Sequence, residues 1–277
     1  MTYEQEQSKT YRVLSIGAHP DDADTSAGGL LWKLKEKGWE VRLLSLTDGS
    51  AGMYDVHRCG PQLAAIRTEE ASRSGALLGG RYDVWDIPDA RLTASIENRE
   101  RLIRYIREFR PDLIVTNRLG DYHPDHRNTA ILVVDASYLL TVPAVCADTK
   151  AMETMPVILY WLDSFQRPYP CQPDVIVPID DYEEKILQLA CCHESQYFDW
   201  LLWPDRMDHR EWPREKQIDE LRTRYRTSAR KHRSQTAKQL EEHLGELQAA
   251  KVEAVEYYEI CEFGEPLSDE LRRILEE

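Results

Sequence analysis

The chain carries two clusters of imidazole and carboxylate groups, Gly17-Ala18-His19-Pro20-Asp21-Asp22 and Gly120-Asp121-Tyr122-His123-Pro124-Asp125-His126. The first puts one imidazole and two carboxylates within four residues. In the second, His123 and His126 stand three apart, a spacing that points both to one side at a helix start. No thiolate accompanies them. Cys59, Cys146, Cys171, Cys191, Cys192 and Cys261 are scattered without a Cys-x-x-Cys pair, which argues against a cysteine zinc site and against a disulfide framework. Nitrogen and carboxylate donors with a position left open suit a catalytic metal, Zn²⁺ first, with Fe²⁺ or Mn²⁺ as alternatives. The competing reading is plainer: Asp21 and Asp22 cap the helix that follows them, as Asp commonly does.

Each cluster follows a short apolar run. The hydrophobic pattern predicts strands over 13–17, 40–47, 82–87 and 112–117, and helices over 26–37, 62–78 and 96–109, punctuated by Gly38, Gly79-Gly80 and Arg110-Pro111. This alternation predicts an α/β fold, a Rossmann-like, mainly parallel sheet with helices on both faces. Parallel strands end on one edge, and a doubly wound order makes the first and fourth strands neighbours at the switch-point crevice. His19, Asp21, Asp22, His123 and His126 then share that crevice. Beyond it the pattern predicts a helix near 126–140, strands at 157–162 and 174–178, and a charged, helical stretch from about 181. We expect a catalytic core over 1–180 and a helical C-terminal part over 181–277 packed on the same domain.

Composition narrows the function classes. A formal charge of -14 and a pI near 5.1 argue against a nucleic-acid binder, which needs clustered Lys and Arg. Small or neutral substrates fit better. The polar first nine residues lack an apolar stretch behind a basic start, and no run approaches the roughly 20 apolar residues that span a bilayer. The expectation is a cytoplasmic protein with no membrane partner.

Several separated motifs resemble those of the LmbE/PIG-L zinc-dependent N-deacetylases. They are Ala18-His-Pro-Asp-Asp-x-Asp24 with Gly28-Gly29, then Thr47-Asp48-Gly49, Arg67-Thr-Glu-Glu70, Pro88-Asp89, Arg110-Pro111-Asp112 and His123-Pro-Asp-His126 in the family's order, with His193-Glu-Ser195-Gln196 as its late His-x-Ser-Gln element. The resemblance implies that His19, Asp22 and His126 hold one Zn²⁺ per chain, that Asp21 is the general base, and that His123 stabilises the oxyanion or protonates the leaving amine. It implies substrate-binding roles for Arg67 and Asp89, and it favours a homo-oligomer. Asp24 stands where the family more usually has Glu, which shortens the reach of that carboxylate.

An amide resists hydrolysis because water is a poor nucleophile and an amine a poor leaving group. Zinc polarises the carbonyl and can lower the pKa of water from 15.7 to about 7, and a positioned carboxylate base typically adds on the order of 10²- to 10⁴-fold. The expected activity is removal of an acetyl group from an N-acetylated amino sugar or related small conjugate. The alternative is an amidase of the same mechanism acting on a thiol or other conjugate. A nucleotide-binding Rossmann protein fits poorly, because Ala18-His-Pro-Asp-Asp22 puts carboxylates where a phosphate loop has glycines; a non-catalytic metal-binding relative would not need every catalytic position filled. Plainer readings compete elsewhere: Arg67 paired with Glu69 or Glu70, Asp89 in ordinary turn chemistry, Asp125 as a helix-start carboxylate or His orienter, His193 as a structural hydrogen-bonding residue, and the aromatic residues of 197–203 as core or interface.

Overall fold

The computed structural model describes residues 10–201 and 211–277. Trp203, one of the aromatic residues read above as core or interface, lies outside the described residues.

The strands are β1 (Arg12–Gly17), β2 (Glu40–Ser45), β3 (Arg81–Val84), β4 (Leu113–Thr116), β5 (Val157–Trp161), β6 (Val175–Pro178) and β7 (Val255–Ile260). They form one sheet in the order β3-β2-β1-β4-β5-β7-β6, in which β1 to β5 pair in parallel and β7 is antiparallel to both its neighbours. The helices are α1 (Asp22–Thr25), α2 (Gly28–Glu36), α3 (Pro61–Leu77), α4 (Ile96–Phe109), α5 (Pro124–Ser137), α6 (Glu183–Cys192), α7 (Glu194–Tyr197), α8 (Arg214–Gln235), α9 (Ala237–Leu244), α10 (Glu246–Ala249) and α11 (Asp269–Glu276).

The period of two along each strand decides which core a residue joins. Val13, Leu43, Leu113, Val115 and Leu159 face Leu30, Leu31 and Leu34 of α2 and Ile186 and Leu189 of α6. Their sequence neighbours Leu14, Ile16, Leu44, Ile114 and Ile158 face Leu102, Ile103 and Ile106 of α4 and Leu132 and Val133 of α5. Both faces are therefore covered, which is why these strands read as continuous apolar runs. The expected adjacency holds: Val13 is in register with Leu113 and Ile16 with Thr116, so the chain leaves β1 and β4 side by side at the same sheet edge.

Two local expectations need revision. The helix expected over 26–37 is preceded by the separate turn α1, and α2 begins only at Gly28, because the Glu256 carboxylate accepts the N–H groups of Gly29 at 2.8 Å and Leu30 at 3.0 Å. Gly29 is needed there, since a Cβ would lie 2.3 Å from Ile179 Cγ2. The second revision follows from the first. Val255–Ile260 is a strand inside the stretch read as helical, and its glutamates misled the reading by looking solvated. Glu256 serves α2 and accepts the Tyr258 hydroxyl at 2.7 Å, while Glu259 accepts Gln172 N–H at 2.9 Å and pairs with Arg118 at 3.3 Å. Among the described residues no helix is long and apolar enough to cross a membrane.

Candidate metal centre

The backbone reverses tightly after β1. His19 O accepts both Asp21 N–H (2.8 Å) and Asp22 N–H (3.1 Å), and Gly17 carries no Cβ because one would lie 2.5 Å from Asp22 Cβ. Asp22 Oδ2 folds back to accept the N–H groups of Ala18 (3.0 Å) and His19 (2.8 Å). Asp21 occupies the N-cap position of α1, yet its side chain makes no capping bond. Neither carboxylate therefore spends itself on the helix, and the plain capping reading fails.

The turn after β4 is fixed just as firmly. Asp121 Oδ1 accepts His123 N–H at 2.8 Å, and Arg127 Nη1 donates to the carbonyls of Asp121 (2.7 Å) and Tyr122 (2.9 Å). Asp121 Oδ2 lies 3.0 Å from His126 Nδ1, leaving His126 Nε2 directed at the β1 turn. There His126 Nε2 is 3.2 Å from His19 Nδ1 and 3.5 Å from Asp22 Oδ2, and His19 Nδ1 is 3.4 Å from Asp22 Oδ2. A tetrahedron with ligands at about 2.1 Å has edges of about 3.4 Å. The triangle thus has the size and chemistry, two imidazole nitrogens and a carboxylate oxygen, that a divalent metal requires. Outer carboxylates complete the fit: His19 Nε2 faces Asp89 Oδ1 at 3.1 Å and Asp125 Oδ2 at 3.6 Å, so that Nδ1 is the nitrogen presented inward.

Electrostatics divide the carboxylates. Burial opposes ionisation of Asp22, but His126 and His19 overcome it and hold its carboxyl far below the usual range. Asp21 is different: burial and the neighbouring Asp22 push its carboxyl up against the opposing pull of Arg67. Burial also works against protonation of His19 and His126, yet the carboxylates of Asp125, Asp22 and Asp89 raise the first, and those of Asp22 and Asp121 raise the second. His123 goes the other way, lowered by burial and by the two neighbouring imidazoles. Its ring sits edge-on to His19 with centroids 4.6 Å apart, and ring nitrogens of His19, His123 and His126 come within 4.8 Å of one another. His123 Nδ1 accepts Asp125 N–H at 3.2 Å, which assigns the proton of the neutral ring to Nε2.

The remaining residues singled out from the sequence lie behind these groups. Arg67 donates from Nη2 to Asp21 Oδ1 at 2.6 Å and from Nη1 to Gly49 O at 3.1 Å, with its side chain 2 % exposed. Neither Glu69 nor Glu70 is its partner; Glu70 accepts Ser195 N–H (2.8 Å) and hydroxyl (2.7 Å). The Asp89 side chain is 7 % exposed, turned to His19 Nε2 and to Ala51 N–H at 3.2 Å. Asp125 accepts Ala90 N–H at 2.7 Å and Leu92 N–H at 3.2 Å, so it serves the 89–92 loop and His19 rather than its neighbour His123. His193, wholly buried, meets Asp24 Oδ2 at 2.6 Å, and Ser74 donates to the same oxygen. Gln196 donates to Gly52 O at 3.2 Å. The shortened carboxylate of Asp24 thus keeps a partner, and each half of the late His-Glu-Ser-Gln segment fastens an earlier motif. Sequence reasoning assigned no role to Asp121 or Arg127. The available signal was an acid just ahead of a His-x-x-His pair, where a histidine ligand needs an orienting acceptor.

With this geometry established, comparison places the chain among known proteins. The family model described as PIG-L, GlcNAc-PI de-N-acetylase, matches residues 14–137, which span both clusters. The chain is 32% identical over 198 residues to the diacetylchitobiose deacetylase of Thermococcus kodakarensis, covering 69% of this chain and 73% of the relative. It is 26% identical over 196 residues to a 4-oxalmesaconate hydratase of Pseudomonas putida, covering 68% of this chain and 75% of that one. Among solved structures it resembles N,N'-diacetylchitobiose deacetylase from Pyrococcus horikoshii, with a TM-score of 0.70, 26% identity, and coverage of 92% of this chain and 85% of that one.

Proposed function

Because the chain belongs to the PIG-L family of de-N-acetylases, we propose that it is a metal-dependent hydrolase that removes the acetyl group from an N-acetylated amino sugar. The observation that carries the reading is the triangle of His19 Nδ1, Asp22 Oδ2 and His126 Nε2 with the Asp21 carboxylate beside it, held apart from it by Arg67. Zn²⁺ bound to those three donors would polarise the amide carbonyl and make water more acidic.

The chain's own residues supply the rest. Asp21, fixed through Oδ1 by Arg67, takes a proton from the attacking water with its other oxygen and returns it to the leaving amine. His123 donates from Nε2 to the oxyanion that forms on the former carbonyl. Asp121 and the pair Asp89 and Asp125 hold the two imidazoles so that the donor atoms converge. In this reading Arg67 and Asp89 position the base and a ligand, and substrate contacts come from more exposed groups. The substrate is a small N-acylated molecule, and the site of action is the cytoplasm.

The test is release of acetate from N-acetylglucosamine derivatives and acylated thiol conjugates by Zn²⁺-reconstituted protein. Free acetate with equimolar amine is the expected result. The hydratase among its relatives makes this readout decisive, because a hydration adds water without releasing acetate. Failure to release acetate from any of these substrates overturns the deacetylase reading.

A further inference from the structure

Asp21 is held from two sides. Arg67 fixes its carboxylate, whereas its carbonyl accepts Thr25 N–H at 3.2 Å and the Thr25 hydroxyl at 2.5 Å. A threonine hydroxyl that bonds back four residues is ordinary in a helix. Its continuation here is not: Tyr197 Oη lies 3.0 Å from Thr25 Oγ1, and Tyr225 Oη lies 3.0 Å from Tyr197 Oη. Counting protons gives these bonds a direction. A carbonyl only accepts, so the one hydroxyl proton of Thr25 is spent on Asp21 O. Thr25 must then accept from Tyr197, and Tyr197 from Tyr225. Three hydroxyls therefore point one way, from α8 through α7 to the proposed base, and each polarises the next.

The two rings are seated for this. They pack with Leu187, Phe198 and Leu221 between α6 and α8, where burial raises both phenol pKa values and keeps the hydroxyls as donors. The residues just before Tyr197 reach the other supports of the base. Ser195 is bonded to Glu70, one turn along α3 from Arg67, and Gln196 to Gly52 O, where a Cβ would lie 3.0 Å from Arg67 Nη1. α1 itself has only four residues, too few to hold a helical turn unaided. Contacts from outside therefore decide where the Asp21 main chain stands.

From this we propose that Tyr197 is a positioning residue for the hydrolysis: acting through Thr25, with Tyr225 behind it, it fixes the main chain of Asp21 so that the free carboxylate oxygen faces the attacking water. The proposal rests on the deacetylase reading for the task of Asp21. It gives Tyr197 no part in metal binding or proton transfer, and it makes the helices after residue 181 contributors to the site.

Tyr197→Phe keeps the ring and removes the hydroxyl. In Zn²⁺-reconstituted protein it is expected to lower kcat for acetate release about tenfold, the scale of a slightly misplaced base, with KM and Zn²⁺ affinity within about twofold. Thr25→Val breaks the same ladder from its other side and should match that loss, while Thr25→Ser restores the hydroxyl and rescues kcat. Tyr225→Phe should cost about threefold, and the Tyr197→Phe/Tyr225→Phe protein no more than Tyr197→Phe alone, because Tyr225 reaches Asp21 only through Tyr197. Independent structural damage would instead multiply the two effects. Amide exchange in metal-free protein reads the ladder without turnover: Tyr197→Phe should speed exchange at Thr25 and Ser26 about fivefold or more and leave Ile103 of α4 unchanged. Parental kcat in Tyr197→Phe, a raised KM in place of a lowered kcat, multiplied effects in the double variant, or unchanged exchange in α1 overturns the proposal. Faster α1 exchange in the variant, with a parent that releases no acetate, leaves the ladder standing and overturns the deacetylase reading instead.

Discussion

Arg67 Nη2 and Asp21 Oδ1 meet at 2.6 Å although 46 residues separate them, and the contact is almost closed to solvent. The pair joins α3 to the turn after β1, so the proposed base is held by the fold rather than by its own loop. Removing one member strands the other charge. Arg67→Met is expected to lower unfolding free energy by roughly 3–5 kcal/mol, the usual penalty for leaving a buried charge unpaired. Urea denaturation of metal-free protein measures it, and a loss below about 1 kcal/mol would show that Asp21 finds another partner.

Asp21 and His126 should fail in different ways. Asp21→Asn keeps every donor atom of the triangle and removes the base. It is expected to bind Zn²⁺ like the parent while losing on the order of 10²- to 10⁴-fold in kcat. His126→Ala removes a donor and should lose stoichiometric metal. Chelator competition and acetate release together decide the matter; parental turnover by Asp21→Asn removes Asp21 from the mechanism.

Asp121 touches no proposed substrate or donor position directly, but it accepts from His126 Nδ1 at 3.0 Å. Asp121→Ala is expected to weaken metal affinity about 10- to 100-fold, the range typical for loss of an orienting carboxylate. The same measurement on Asp89→Ala tests the other imidazole. Parental metal affinity in both variants would mean that the histidines are held by packing alone.

The convergence of the two clusters was legible because strand alternation, a doubly wound order and residue type pointed to the same sheet edge. His19, Asp21, Asp22, His123 and His126 could be gathered at that edge, while the choice of His19, Asp22 and His126 as the ligands came from the resemblance to the N-deacetylases. What could not be read is the direction of each side chain within it. Arg67 and Asp89 carry the residue types of substrate contacts, but both turn inward to Asp21 and His19. Periodicity also missed β7, since Glu256 and Glu259 resemble solvated helix residues until the groups they satisfy, the α2 N-terminus and Arg118, are in place. A buried carboxylate is identifiable only from its partner, and these partners are more than a hundred residues away.

Lys33 gives a pH dependence remote from the metal centre. Its ammonium donates to Leu275 O at 2.9 Å near the end of α11, and burial, reinforced by Lys37, lowers its pKa from 10.5 to about 8. Between those values the unfolded chain binds more protons than the folded one, so this residue makes stability rise with pH from about 8 towards 10.5. The slope stays below about 1.4 kcal/mol per pH unit, the ceiling for one proton. Lys33→Met should remove the rise. Unfolding curves for both proteins at intervals from pH 7 to 10 are the measurement, and parallel pH dependences would rule Lys33 out as the source.

Gly49 tests the positioning of the base without altering any proposed catalytic or metal-binding residue. Its φ is +63°, a left-handed conformation that costs a residue with a Cβ roughly 1–2 kcal/mol. A Cβ there would also lie 2.4 Å from Arg67 Nη1, inside the guanidinium that Gly49 O helps to hold at 3.1 Å. Alanine at this position cannot be accommodated unless the backbone or Arg67 moves, and movement of Arg67 lengthens its bond to Asp21. His19, Asp22 and His126 are untouched by that shift. Gly49→Ala is therefore expected to retain Zn²⁺ affinity within about twofold while kcat falls more than tenfold, a split that general destabilisation would not produce. Raising the temperature should not reproduce it in the parent below the onset of unfolding. A Gly49→Ala protein with parental kcat would show that the Arg67 contact fixes the fold of the turn without governing the base.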